Sequence, residues 1–391
     1  MDALAALEKF MSAKTTGASL ANSMYESGMA YVDAKQPQKA QSQFDRIVSE
    51  VPDFVAMDKV LYELGWLAQE KSDNPLAAKN FGQLVEQYPN SDFLPEALYQ
   101  VGQSQYGSEK YADAANSYTS VLSKTKNPSL LEKAYYKLGW SQFQQAAFEQ
   151  AAEQFRKQAQ DFPEGTLAVD ASFMQAECYF KRDKFAEALL MYEVAKNSLE
   201  AAGEKTLASD QVKTLIYLHG GQCHRELKQW AECEKWLRAV VDRYPNTPYL
   251  STVIYELAFC AQQQNKLEDA LKLYSEVANK YRNETAARSR FMMGEVYFSQ
   301  RDFAKAIAEF QRVMYGFGAE RAPEDIKNWQ AKSAFEAARC SEVLIDNLKG
   351  EGRDKVVEAT KEFYQFIVNR HAAHALAAQA QKKLGEISKL R

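Results

Sequence analysis

Apolar and small residues recur along this chain at spacings of three and four, the period of helices that bury one face. The runs come in pairs. Tyr135, Leu138 and Gly139 lead into a second run carrying Phe148, Ala151, Ala152 and Phe155. The pairs themselves repeat. With Gly28 as an anchor, steps of 37 give Gly65, Gly102, Gly139 and Ala176; a step of 45 reaches Gly221, followed by Ala258 at 37 and Gly294 at 36. A ninth, weaker copy places Ala338 a further 44 residues on.

Other columns keep the same register. Three residues before the anchor (−3) stand Tyr25, Tyr62, Tyr99, Tyr136, Phe173, Leu218, Tyr255, Phe291 and Phe335. Twelve after it (+12) stand Ala40, Ala77, Ala114, Ala151, Ala188, Cys233, Ala270 and Ala306. Sixteen after it (+16) stand Phe44, Phe81, Tyr118, Phe155, Tyr192, Leu237, Tyr274 and Phe310. Pro52, Pro89, Pro163 and Pro245 fall at +24. A tiny anchor lets the second helix approach the first, and the +16 ring sits one turn beyond the small +12 residue on the same helical face. The proline ends the second helix, because it has no amide hydrogen and clashes with the preceding turn. Each pair leaves an apolar face uncovered until its neighbour stacks on it. The pattern therefore predicts an all-α solenoid of about nine antiparallel helix pairs, with capping helices at its ends.

These columns resemble the tetratricopeptide repeat, a unit usually 34 residues long. The three extra residues follow the proline: Pro89 to Gly102 spans 13. They lengthen the joint between copies and leave each hairpin intact. The resemblance runs over about residues 20–370 and implies a right-handed superhelix. Tyr88-Pro89-Asn90-Ser91 and Tyr244-Pro245-Asn246-Thr247, each followed by a Tyr-x-x-Gly or Tyr-x-x-Ala helix, are similar to repeats of bacterial envelope proteins. Those include the outer-membrane assembly lipoprotein and the periplasmic cell-division coordinators. On this reading residues 1–17 form an N-terminal cap, 18–318 hold repeats one to eight, and 319–391 hold a degenerate ninth repeat and a C-terminal capping helix. The tail from Ala372 to Leu390 reads as that helix.

Three breaks stand out. Lys126 occupies the third copy's proline position and Pro128 comes two later, which predicts an altered turn. An eight-residue insertion between Ser198 and Asp210 predicts a longer second helix in copy five. Tyr315 to Pro323 is the most loop-like stretch.

Composition narrows the function. Lysine and arginine number 48 against 52 acids, a net charge of −4, which removes the basic excess a nucleic-acid partner would require. No run approaches the length of apolar residues that spans a membrane. The N-terminus, with Asp2 and no continuous apolar core, is not a signal peptide as it stands. The compartment stays open between the cytoplasm and, for a chain whose leader has been removed, the periplasm or envelope.

Chemistry finds little foothold. Cys178, Cys223, Cys260 and Cys340 all sit at +2 and Cys233 sits at +12, so they read as unpaired small residues in packed layers. His219 and Cys223 are one turn apart, without the further ligands a zinc site needs. Neither a glycine-rich phosphate loop nor a hydrolase triad is present, and the reading is of a non-enzyme with no metal and no cofactor. The resemblance instead implies a concave groove lined by −6, −3, +1 and +4 of each first helix. The candidate partner-binding residues there are Tyr25, Tyr62, Trp66, Tyr99, Tyr106, Tyr136, Trp140 and Phe143. Large amphipathic rings suit interface hot spots, and they equally suit packing between successive helices. The function expected is a protein–protein scaffold that binds a peptide segment or a partner domain. A binder of cell-wall glycan or polysaccharide is the alternative, and a homo-oligomer stays open.

Overall fold

The computed structural model describes residues 17–203 and 208–390. Of the expected N-terminal cap only Gly17 lies among them; residues 1–16 fall outside. The described residues form nineteen α-helices and no strand. In chain order they are α1 (Ala18–Asp33), α2 (Pro37–Glu50), α3 (Met57–Glu70), α4 (Asn74–Gln87), α5 (Leu94–Gly107), α6 (Tyr111–Lys124), α7 (Pro128–Gln144), α8 (Phe148–Asp161) and α9 (Ala168–Phe180). There follow α10 (Phe185–Ala202), α11 (Asp210–Glu226), α12 (Trp230–Arg243), α13 (Leu250–Gln263), α14 (Leu267–Lys280), α15 (Glu284–Ser299), α16 (Phe303–Met314), α17 (Glu324–Ile345), α18 (Glu351–Arg370) and α19 (Ala377–Ile387). This is the expected solenoid of stacked helix pairs. Two compact units divide it: one runs to Lys184, the other comprises Phe185–Glu200 and the chain from Ala208 onward.

Within a hairpin the anchor and the +16 ring meet. A Cβ built on Gly28 would stand 2.5 Å from Phe44, on Gly65 2.5 Å from Phe81, on Gly139 2.8 Å from Phe155 and on Gly294 2.4 Å from Phe310. No real Cβ sits that close, so the rings occupy the space that glycine leaves. Those rings are fully buried, as are the +12 alanines Ala40, Ala114, Ala151, Ala270 and Ala306. The −3 ring then packs on the +16 ring of its own copy: Tyr25 on Phe44 at 6.0 Å, Tyr99 on Tyr118 at 5.6 Å, Tyr136 on Phe155 at 5.9 Å, Tyr255 on Tyr274 at 5.6 Å and Phe291 on Phe310 at 5.4 Å.

The turn inside each hairpin has one geometry. The residue at +7 is left-handed in copies one to eight, at Lys35, Ser72, Glu109, Ala146, Asp183, Lys228, Asn265 and Arg301, with φ between 54° and 62°. None is glycine. The next amide then reaches back five residues, as in Gln36 to the Tyr31 carbonyl at 2.8 Å, Asp73 to Ala68 at 2.9 Å and Ala147 to Gln142 at 2.9 Å. This is the closure that satisfies the last carbonyls of a helix.

Six of the joints between copies fall into two classes. Before a proline, the residue closing the second helix has ψ between 53° and 65°, at Val51, Tyr88, Phe162 and Tyr244. At Thr125 and Tyr281, where no proline follows directly, the backbone is extended with ψ of 155° and 162°. Both extended joints end in an asparagine cap: Asn127 accepts from the Ser129 amide at 3.0 Å and Asn283 from the Ala286 amide at 3.1 Å. The altered turn expected after copy three is one of this pair.

Helix α10 has 18 residues where most second helices have 14, so the insertion does lengthen it; residues 204–207 lie outside the described residues. The C-terminal expectation needs correction. Helix α19 starts at Ala377, not at Ala372, because His371 closes α18 with φ −130° and ψ 42°, and residues 372–376 form a further joint. There the His374 side chain accepts from the Leu376 amide at 3.1 Å. In copy nine the register slips: Phe335 packs on Tyr364 at 5.8 Å, because α18 starts late, at Glu351.

Candidate partner-binding groove

Helices α3, α5 and α7 of the first unit carry most of the candidate rings. The +1 position holds Trp66 and Trp140, and +4 holds Tyr106 and Phe143. Trp66 is 39% exposed, its edge packed on Tyr62 at 6.0 Å and on Phe81 at 5.8 Å. Trp140 is half-buried against Tyr136, Phe143 and Phe155, at 6.3, 5.8 and 6.4 Å. The difference lies one turn away. Copy four has Phe143 at +4 to cover its tryptophan, whereas copy two has Gln69. Tyr106 and Phe143 each cap their hairpin turn by edge-to-face contact with Tyr111 and Phe148, at 5.2 and 5.1 Å.

The −3 tyrosines are held more deeply. Tyr25 and Tyr62 are half-buried, and Tyr99 is 9% exposed. Tyr62 lies 4.5 Å from Phe93 and donates its hydroxyl hydrogen to Glu96. Burial pushes the phenols of Tyr62, Tyr99 and Tyr136 up to about 12, with Glu96 adding to the shift at Tyr62. They are neutral hydrogen-bonding groups at every ordinary pH.

A column that the sequence reading passed over joins successive copies. The residue at −2 of one first helix meets +4 of the preceding one. Gln69 Nε2 donates to Gln100 Oε1 at 2.8 Å, and the Lys137 ammonium stands 5.6 Å over the Tyr106 ring. In the second unit the same rung is an ion pair: both oxygens of Glu256 accept from Arg225 Nη1, at 2.7 and 2.9 Å, and Gln222 adds a bond at 3.2 Å. Its carboxylate side chain is 3% exposed and Arg225 23% exposed, and the guanidinium also reaches Glu226 through Nη2. The first-helix face is thus aromatic and amide-rich in the first unit and carries a fixed ion pair in the second.

A cleft of about 460 Å3 is lined by Gln69, Phe81, Gln100, Gln103, Ser104 and Ser108 among others; Trp66 is not part of its lining and reaches it only through Phe81, on which it packs. The cleft contains no charged side chain. Its amides offer donors and acceptors in the mixture that a peptide backbone requires.

The five cysteines are all buried. Burial pushes the Cys178 and Cys340 thiols up to about 12. The neighbouring Cys260 thiol, together with burial, pushes Cys233 up further still. These two thiols come from different columns, +12 and +2. His219 lies against Tyr192 at 6.2 Å, and His224 packs on Trp236 at 5.6 Å with its Nδ1 2.6 Å from Gln229. Among the described residues no group of three or more His, Cys, Asp or Glu could hold a metal, and no helix is long and apolar enough to cross a membrane.

Comparison with known proteins agrees with this architecture. Tetratricopeptide-repeat models match residues 22–53 and 59–91, and a second such model matches 99–166 and 136–206. A model of the tetratricopeptide repeat protein 21 ARM repeat matches 192–312. No curated protein matches the sequence. Among solved structures, the apo form of RapI is 13% identical with a TM-score of 0.51, covering 94% of this chain and 99% of its own. The C-terminal part of a TPR repeat-containing protein from Cytophaga hutchinsonii is 15% identical with a TM-score of 0.52, covering 67% of this chain and 97% of its own. At such identities the likeness is one of fold.

Proposed function

Because the chain is a tetratricopeptide-repeat protein, we propose that it is a non-enzymatic scaffold that holds an extended peptide segment of a partner along α3, α5 and α7. One observation carries this reading: Trp66, 39% exposed, packs on Phe81, which itself helps line an uncharged cleft with Gln69, Gln100 and Gln103. An exposed indole offers large contact area at small entropic cost, and the amides can pair with a peptide backbone. Tyr106, Trp140 and Phe143 would extend the contact into copies three and four, with the hydroxyl edges of Tyr62 and Tyr136 alongside. Tyr25 and Tyr99 would act as supports. An envelope assembly is the setting we favour, on the Tyr-Pro-Asn joints alone.

The test uses peptides selected from a random display library on the whole chain. Trp66→Ala should weaken binding by about 2 kcal/mol or more while leaving the melt nearly unchanged. Trp140→Ala should lower both, because its ring is packed against three others. Unchanged affinity in a folded Trp66→Ala, Trp140→Ala double variant would refute the groove. Retention of the wild type on insoluble cell-wall material, lost on the same substitution, would instead favour a glycan ligand.

A further inference from the structure

We propose that the second unit carries an additional binding site, a cleft of about 680 Å3 framed by Arg282, Arg290 and Arg312 with Tyr315 and Phe317, which takes an acidic peptide segment bearing an aromatic side chain. It lies where the end of α14, the middle of α15 and the last turn of α16 meet, within the second unit.

Three guanidinium groups line one concavity of a chain whose net charge is −4. No acid is among the lining residues. The carboxylate beneath, Glu309, is 7% exposed and takes Arg290 Nη1 at 3.0 Å on one oxygen and Arg312 Nη1 on the other. One negative charge thus holds two arginines in place and leaves the cleft cationic. Arg290 is fixed further by Asn279 Oδ1 at 2.9 Å. Arg282 Nη1 donates to the carbonyls of Asn279 and Tyr281 at 3.2 and 2.8 Å. The hydrogen bonds of Arg282 and Arg312 run through Nη1, so Nε and Nη2 of each remain for a ligand. A carboxylate is the planar partner that such a donor fork matches. Because the arginines are already anchored, little side-chain entropy is lost on binding.

The aromatic wall argues for a peptide over a small anion. Tyr315 is 53% exposed, resting edge-on against Phe366 at 5.5 Å. Phe317 is held in the left-handed region at φ 55° and packs with Ala322 and Ile326. One phosphate would fill a small part of the cleft and leave both rings unused. A segment with carboxylates flanking an aromatic side chain uses both ends.

The experiment measures binding of a fluorescein-labelled peptide, glutamates flanking one phenylalanine, to the whole chain. Its glutamine counterpart and inorganic phosphate are the comparisons. The glutamate peptide should bind with an affinity that falls as salt rises, and the glutamine peptide at least tenfold more weakly. Arg282→Gln with Arg312→Gln should cost about tenfold or more; both side chains are exposed, and Arg290 still pairs Glu309. Should that double variant lose helix content, Tyr315→Ala decides by itself, with a loss of affinity expected. Trp66→Ala should leave this binding unchanged, which separates the site from the groove of the first unit. Equal binding of the glutamine peptide, or unchanged affinity in folded arginine variants, would overturn the proposal. So would phosphate that binds as tightly as the peptide.

Discussion

A glycine at the anchor is defined by the ring that lies over it. In copy four the Phe155 ring sits where a Cβ on Gly139 would come within 2.8 Å. Copy seven tolerates Ala258 beneath a fully buried Tyr274, so a whole hairpin can be built around a methyl group, but one substitution does not rebuild it. Gly139→Ala is therefore expected to lose about 1–3 kcal/mol in urea melts, the usual cost of overpacking, and Gly139→Leu more. A Gly139→Ala melt that overlays the wild type would remove the close approach. The glycine, alanine and ring columns were all legible in the sequence, since period and size are written directly in it. Whether a ring at +1 is shielded was not: Trp66 and Trp140 share a column and differ through Gln69 and Phe143 one turn on. The arginine cleft was also illegible, because Arg282, Arg290 and Arg312 occupy three unrelated positions in the repeat and meet only when α14, α15 and α16 pack.

At the scale of the hairpin, the joints and the turns were read with unequal success. The proline joints followed from the +24 column, and the extended joint at Thr125 followed from its displaced proline. The left-handed turn at +7 did not. A turn of that kind is ordinarily marked by glycine, and here the eight positions hold lysine, serine, glutamate, alanine, aspartate, asparagine and arginine. Side chains with a Cβ lose roughly 1–2 kcal/mol in this region, while glycine gains unfolded-state entropy of about 0.5–1 kcal/mol. Ala146→Gly, at an exposed turn, is accordingly expected to raise stability by about 0.5–1 kcal/mol. Thermal melts of the pair check this, and a drop would mean that Ala146 is not strained as its φ of 57° implies.

For the whole molecule, roughly three quarters of the described residues are helical, far above the usual third, and stability should follow neighbour contacts more than any central core. The buried thiols report on this. Cys178 belongs to the first unit, and Cys223, Cys233, Cys260 and Cys340 belong to the second. At neutral pH the native chain should react slowly with a maleimide, because burial holds the Cys178 and Cys340 thiols protonated, near 12. Denaturant without reductant should expose all five, with Cys178 opening at a different concentration from the other four. A single common transition would show that the two units unfold as one. Fewer than five labelled thiols would mean a bridge, most directly between Cys233 and Cys260.

The shared geometry of the proline joints makes this chain editable. Val51 and Tyr88 leave their helices with φ of −138° and −125° and ψ of 65° and 61°, and in each case the next helix begins five residues after the proline, at Met57 and Leu94. Excising Asp53 through Pro89 removes one full period and brings Asn90 directly after Pro52, in the same phase as before. The product should be a shorter protein with one hairpin fewer and every remaining anchor still beneath its ring, so length is a free variable in this design and register is not.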